Sequence, residues 1–292
     1  MQVVDRATSA TTKSRSRSRR APVVAVRSGP WPRRLLAVAV VVASLGAAGW
    51  GRLGEIDYKV KPIDGSLWAD QHGRGGFING RGEGHRIMFT FDDGPDHRST
   101  PILLDHLDRY GIKAVFFING HRMHPSRRDA PENIETLREV FRRGHVIANH
   151  TFNHRDLTTL TEEQAQNEID GVNRLVEKVT GRRTWLFRPP FGKIGGTARY
   201  LAKNGYTTVM WSLDPLDWQT DDPREVVRRV VARLTEHPEG GIIDLHDTNL
   251  ATVEAFPLVM EWIEQENAER TAHGTPTFRV VGLEAFFERG RP

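Results

Sequence analysis

The apolar pattern divides the chain into unequal parts. Residues 1–34 are rich in Arg, Ser and Thr and show no apolar period, which predicts a disordered basic tail. Residues 35–51 then run as an apolar stretch without a single charge. Roughly 17 residues is the short end of a membrane-spanning helix and slightly long for a signal-peptide core. Trp31 and Trp50 bracket this stretch and Arg33-Arg34 sits on its amino side, so the positive-inside rule places the tail in the cytoplasm and everything after Gly51 outside. The alternative is a cleaved signal, with Gly46-Ala47-Ala48 as the small-residue site. Residues 52–80 have no clear period and become glycine-rich toward their end, as expected of a linker that leads into a folded domain at 81–292.

Within that domain short apolar runs alternate with longer amphipathic ones. Strands are expected at 86–91, 114–118, 146–149, 185–188, 207–211, 241–245 and 278–281. Helices are expected between and after them, at 101–110, 133–143, 161–180, 197–204, 223–236, 253–270 and 283–288. Thr161-Glu162-Glu163-Gln164 has the acceptor-first pattern of a helix start, with Thr159 or Thr161 as its cap. Strand and helix in strict alternation predict a parallel α/β sheet, and seven repeats a distorted (β/α)7 TIM-like barrel, with a doubly wound open sheet as the runner-up.

Charge sharpens the division. Nine of the 41 basic residues but only one of the 37 acidic residues precede Leu35, leaving 32 basic against 36 acidic in the rest. The formal charge of +4 therefore belongs to the tail, and the acidic remainder argues against nucleic acid as a partner. The chain has no cysteine, so any metal must be held by imidazole and carboxylate.

The chemistry-bearing residues follow the expected strands. Asp92 and Asp93 come after the first, His150 and His154 after the third, Arg188 after the fourth, Asp217 after the fifth and His246 after the sixth. In a parallel barrel those loops share one mouth. Two imidazoles four apart lie on one face of a helical turn, and with one carboxylate they leave coordination open for water, the pattern of catalytic zinc. If Asp93 is the ligand, Asp92 is the candidate base, oriented by Arg188. His246 is the candidate acid, with Asp217 on its other ring nitrogen. Trp218 reads either as core or as one wall of a sugar groove.

Five segments together resemble the polysaccharide deacetylase family, carbohydrate esterase family four. They are Thr90-Phe91-Asp92-Asp93-Gly94-Pro95, His150-Thr151-Phe152-Asn153-His154, Arg188-Pro189-Pro190-Phe191-Gly192, Asp214-Pro215-Leu216-Asp217-Trp218 and Ile242-Ile243-Asp244-Leu245-His246-Asp247, in family order across residues 86–281. The resemblance implies a distorted barrel and a divalent metal on Asp93, His150 and His154, zinc first, with cobalt or nickel served by the same donors. It further implies Asp92 as base, His246 as acid, Asp217 as its partner, Arg188 as the group orienting Asp92, and the Phe191 backbone N–H as oxyanion donor. Trp218, Pro190 and Asp244 are assigned to the substrate groove.

One departure stands out. Two residues before the acid histidine the family usually places Leu against the acetyl methyl group, and this chain has Asp244. Either a local register change brings Leu245 to that wall, or the acyl preference differs. The expected activity is metal-dependent removal of N-acetyl groups from N-acetylglucosamine-type glycans, peptidoglycan first, at the outer side of a bacterial cytoplasmic membrane. The alternatives are a deacylase for another acyl group or glycan, or a glycan-binding module with little turnover.

Overall fold

The computed structural model describes residues 76–82 and 84–287. The basic tail, the apolar stretch 35–51 and most of the linker lie outside the described residues. Among those described, no helix is long and apolar enough to cross a membrane.

Eight parallel strands form one sheet: β1 (Phe77–Ile78), β2 (Arg86–Asp92), β3 (Val115–Ile118), β4 (Val146–Asn149), β5 (Leu186–Phe187), β6 (Thr207–Val209), β7 (Gly240–His246) and β8 (Arg279–Val280). Their order is β1-β6-β5-β4-β3-β2-β7, with β8 beside β2. Strands β2 to β6 thus lie next to their neighbours in sequence, so the sheet winds in one direction. A doubly wound sheet would reverse in its middle. β7 pairs with β2 along its whole length, from Arg86 opposite Gly240 to Asp92 opposite His246. Beyond β6, Leu213 bridges Ile243, and Arg81 bridges Gly241. The free edge of β7 is therefore brought against the far side of the sheet, and the result is a distorted TIM-like barrel.

Two details differ from the expected seven-fold repeat. The seventh strand shrinks to β8 and shares one edge of β2 with β3: Arg86 and Ile87 face β8, while Thr90 to Asp92 face β3. The sheet also begins before residue 81, because Phe77 and Ile78 pair with Thr208 and Val209. Two apolar residues in a glycine-rich setting have no period to read.

The strands are buried on both faces, and the alternation of side chains sorts them into two layers. Ile87, Phe89, Phe91, Phe116, Ile118, Ile243 and Leu245 pack outward against the helices. Met88, Val115, Phe117, Ala148, Leu186, Val209 and Ile242 fill the interior. The same two-residue rhythm carries the inward face from Met88 to Thr90 and Asp92, from Leu186 to Arg188, and from Ile242 to Asp244 and His246. Polar chemistry therefore sits on top of the apolar interior, at the carboxyl end of the barrel. β7 can approach β2 this closely because its first residue is Gly240, with φ of 82°, where a Cβ would collide with the Arg86 carbonyl.

The helices are α1 (Thr100–Arg109), α2 (Ala130–Arg142), α3 (Glu162–Thr180), α4 (Ala198–Lys203), α5 (Pro223–Glu236), α6 (Leu250–Ala272) and α7 (Glu284–Phe287). α3 opens with a full capping box between Thr161 and Gln164 and stops at Gly181, with φ of 72°. α6 starts at Asn249, whose side chain caps Ala251 N–H and also donates to the carbonyls of Asp217 and Thr220. One asparagine thus fixes the helix start and anchors a loop of the site.

Candidate active site

The mouth of the barrel collects backbone strain. Six non-glycine residues among those described have positive φ, and five of them lie in the loops that follow strands: Asp93, Thr151, His154, Phe191 and Leu216. Such conformations cost on the order of 1–3 kcal/mol each and persist where the surroundings over-determine them. They also correct the helical argument for His150 and His154. The residues after β4 form no helical turn; instead, Thr151 at φ of 69° and His154 at φ of 51° fold the chain back. The two rings end 5.0 Å apart at their centroids.

Asp93, at φ of 71°, breaks the alternation of β2 and turns toward these rings. Its Oδ1 lies 3.7 Å from His150 Nε2 and 3.5 Å from His154 Nε2, and accepts a 2.5 Å hydrogen bond from Asn119 Nδ2. One donor atom from each of Asp93, His150 and His154 falls within 4.8 Å of the others, so the three could hold a metal ion. Protonation fits that reading. His150 Nδ1 lies 2.8 Å from the Arg188 carbonyl, which can only accept, so Nδ1 carries the hydrogen and Nε2 turns its lone pair toward Asp93. Burial lowers both His150 and His154 to about 4, which keeps them neutral and able to ligate. Burial alone would raise Asp93, yet the facing imidazoles of His150 and His154 bring it below its ordinary value.

Asp92 stays on the interior face. Its Oδ1 accepts from Arg188 Nη1 at 2.7 Å, and Oδ2 lies 3.5 Å from His150 Nε2. Burial, opposed by the Arg188 charge, pushes its pKa up to about 6. Arg188 is completely buried, with its guanidinium carbon 4.0 Å from the Phe117 ring centre. Its Nε donates to the Val209 carbonyl, while Nη1 reaches Thr90 Oγ1, Asp92 Oδ1 and Asp244 Oδ1 at 3.0, 2.7 and 2.8 Å.

His246 lies across from the group of Asp93, His150 and His154, its Nε2 3.9 Å from Asp93 Oδ2. Its Nδ1 lies 2.8 Å from Asp217 Oδ1, and its backbone N–H donates to Asp217 Oδ2. Thr252 holds that second oxygen with a 2.6 Å bond. Burial works against a charged ring, but the Asp217 carboxylate carries the pKa of His246 well above the ordinary histidine value. An imidazolium at neutral pH therefore stands across from two neutral imidazoles.

Phe191, at φ of 58°, lies in a tight turn at Pro190–Gly192, and its exposed ring packs edge-on to His154 at 4.7 Å. Pro190, the first residue of that turn, is buried. The cleft holds about 450 Å³ and is lined in part by Asp93, His246, Trp218, Asn249 and Leu250. Trp218 is 59% exposed, so its ring is a cleft wall and the core reading falls away. Asp244 is not a cleft wall either. It is buried on the interior face beside Asp92, and Leu245 packs outward with the helices, so β7 makes no register change to restore an apolar wall.

Sequence reasoning did not single out Asn119, Thr90, Thr252 or Asn249. Asn119 directly follows β3, and the strand-end logic that found its neighbours would have reached it. Thr90 lies on the inward face of β2, two residues before Asp92, and the same strand rhythm would have reached it; Thr252 and Asn249 are single polar residues whose role depends on loops meeting in space.

Comparison with known proteins bears on this geometry. A family model described as polysaccharide deacetylase matches residues 79–209. The chain is 34% identical over 185 residues to the peptidoglycan-N-acetylmuramic acid deacetylase PdaA of Bacillus subtilis, covering 62% of this chain and 66% of that protein. It is 37% identical over 164 residues to a peptidoglycan-N-acetylglucosamine deacetylase of Bacillus cereus, covering 55% and 72%. Among solved structures, the peptidoglycan deacetylase PdaC of Bacillus subtilis superimposes with a TM-score of 0.58 at 28% identity, over 70% of this chain and 90% of that one.

Proposed function

From the premise that the chain belongs to the polysaccharide deacetylase family, and so is a deacetylase-type hydrolase, we propose that it removes N-acetyl groups from N-acetylglucosamine-type glycans, with peptidoglycan as the first substrate. The observation that carries the reading is the contrast across about 4 Å: the ionised Asp93 with the neutral imidazoles of His150 and His154 on one side, and a charged His246 on the other. A divalent metal, zinc first and cobalt or nickel compatible with the same donors, would supply Lewis acidity and an acidified water there.

The remaining steps belong to side chains. Asp92, ionised above its raised pKa and held by Arg188, takes the proton from the attacking water. The Phe191 backbone N–H, presented by the strained turn, assists the developing oxyanion. Imidazolium His246, kept protonated by Asp217, delivers a proton to the leaving sugar nitrogen. Trp218 offers a flat apolar face to a pyranose ring along the cleft. Peptidoglycan is favoured by the relatives and by the expected export, either as a single-pass protein of the bacterial cytoplasmic membrane anchored through residues 35–51 or as a protein secreted after cleavage.

The test is acetate release by the full-length, detergent-solubilised, zinc-loaded chain from peptidoglycan and from N-acetylglucosamine oligomers. A chelated sample and an Asp92→Ala variant run beside it. Release that both controls abolish is expected. No release from either glycan, by folded protein that still binds zinc, would sink the proposal and leave a glycan-binding role.

A further inference from the structure

Asp244 presents an electrostatic excess that the proposed chemistry leaves unused. Arg188 Nη1 has two hydrogens and three acceptors within 3.0 Å, two of them carboxylate oxygens. One buried guanidinium therefore faces two buried carboxylates, Asp92 and Asp244, on the same inward face. A single carboxylate would balance Arg188; burial and the Asp92 charge push the second, Asp244, well above the ordinary carboxylate range, and a buried carboxyl is costly unless a further group reaches its free oxygen. Asp244 Oδ2 has no hydrogen-bond donor among the described residues.

The topology indicates where such a donor would come from. The register puts Asp92 opposite His246 and Thr90 opposite Asp244, so Asp244 lies one inward layer below the pair that flanks the reaction. The amide carbon to be attacked must sit between the metal triad and His246. Its nitrogen and sugar have to leave through the open cleft beside Trp218, which directs the third substituent, the acyl chain, toward the interior. The next inward layer in that direction is the one that holds Asp244.

We propose that Asp244 is a specificity-determining residue that selects N-acyl groups bearing a hydroxyl on the carbon next to the carbonyl, so that the preferred substrate is an N-(hydroxyacetyl) amino sugar in place of the plain N-acetyl one. The acyl hydroxyl donates to Asp244 Oδ2 and supplies the missing hydrogen bond. A methyl or ethyl group in the same place leaves the Asp244 carboxyl oxygen unsatisfied and desolvated, and a site that holds a buried polar group against a substrate hydroxyl rejects the analogue lacking it. This inference rests on the deacylase reading above and concerns the acyl group alone.

The experiment compares the zinc-loaded full-length chain on one amino-sugar oligomer acylated in three ways: acetyl, hydroxyacetyl and propionyl. Hydroxyacetyl and propionyl have the same number of heavy atoms, so their ratio of kcat/KM isolates the hydroxyl. Wild type is expected to favour hydroxyacetyl over propionyl by about tenfold or more. Asp244→Leu should reverse that order, and Asp244→Asn should shrink the ratio several-fold. A wild-type ratio near one or below overturns the inference while acetate release leaves the deacetylase reading standing, and this arm does not depend on either variant folding. A wild-type preference that survives unchanged in folded Asp244→Leu also overturns it. Hydrolysis of none of the three amides would bring down both readings.

Discussion

His150 and His246 both stand at the carboxyl mouth of the barrel, and each Nδ1 lies 2.8 Å from an acceptor oxygen. One acceptor is the neutral carbonyl of Arg188; the other is the carboxylate of Asp217. That single difference separates their chemistry. Burial lowers His150 to about 4, whereas Asp217 overcomes burial and raises His246 well above its ordinary value. A ring fixed by a carbonyl is a neutral donor suited to a metal, and a ring fixed by a carboxylate is a cation suited to giving up a proton. The same residue type thus serves two roles within one site, because the charge of the partner behind it decides the state of the nitrogen in front.

The largest effect should come from removing the ring of His150 from the proposed donor set. His150→Ala leaves Asp93 and His154 alone, and zinc affinity measured by calorimetry on the full chain should fall by about 10² or more. The fold should survive, since the ring lies at the end of β4 and outside both hydrophobic layers. Unchanged zinc affinity would remove His150 from the donor set. The comparison is next broken from the other side. Asp217→Asn keeps the shape behind His246 but withdraws the charge, so kcat for acetate release should drop by about 10² to 10³. Zinc affinity should stay within a few-fold of wild type. A loss of zinc binding equal to the loss of rate would show that Asp217 shapes the whole mouth and does not act through His246.

That distinction was only half legible in the sequence. Strand-end positions identified Asp92, Asp93, His150, Arg188, Asp217 and His246, because apolar runs ending in polar residues mark the mouth of a parallel barrel. Counting by twos back from His246 also places Asp244 on the inward face and Leu245 on the outward one, as the structure has it. What could not be read was the conformation of the loops. No propensity announces that Asp93, Thr151 and His154 adopt left-handed backbone, and a four-residue spacing suggested a helical face that is not there. The carbonyl behind His150 comes from Arg188, 38 residues away, and belongs to no side chain, so no residue type could signal it. β1 escaped notice for a simpler reason, being two residues long.

A third buried histidine sharpens the comparison by reversing the hydrogen bond. His145 Nδ1 accepts from the Ala114 backbone N–H at 3.2 Å, and its ring stands edge-on to Phe116 at 5.4 Å. Among the described residues no carboxylate is bonded to it, and its buried Nε2 has no partner. Burial lowers its pKa to about 4, with Lys113 adding to the effect. In the unfolded chain the ring binds a proton near its ordinary value of 6.5. Between those two values the unfolded state holds more protons, so the stability His145 contributes is complete above about 6.5 and is lost as pH falls toward 4. The full loss is at most about 3.5 kcal/mol, from about 1.4 kcal/mol per pKa unit. His145→Gln retains an acceptor for Ala114 N–H but cannot titrate. Urea midpoints taken at several pH values between 7.5 and 4.5 should therefore fall less steeply in the variant than in wild type. Parallel slopes would mean that the ring is charged or neutral to the same extent in both states, and that a backbone N–H on Nδ1 does not hold a histidine neutral in this fold.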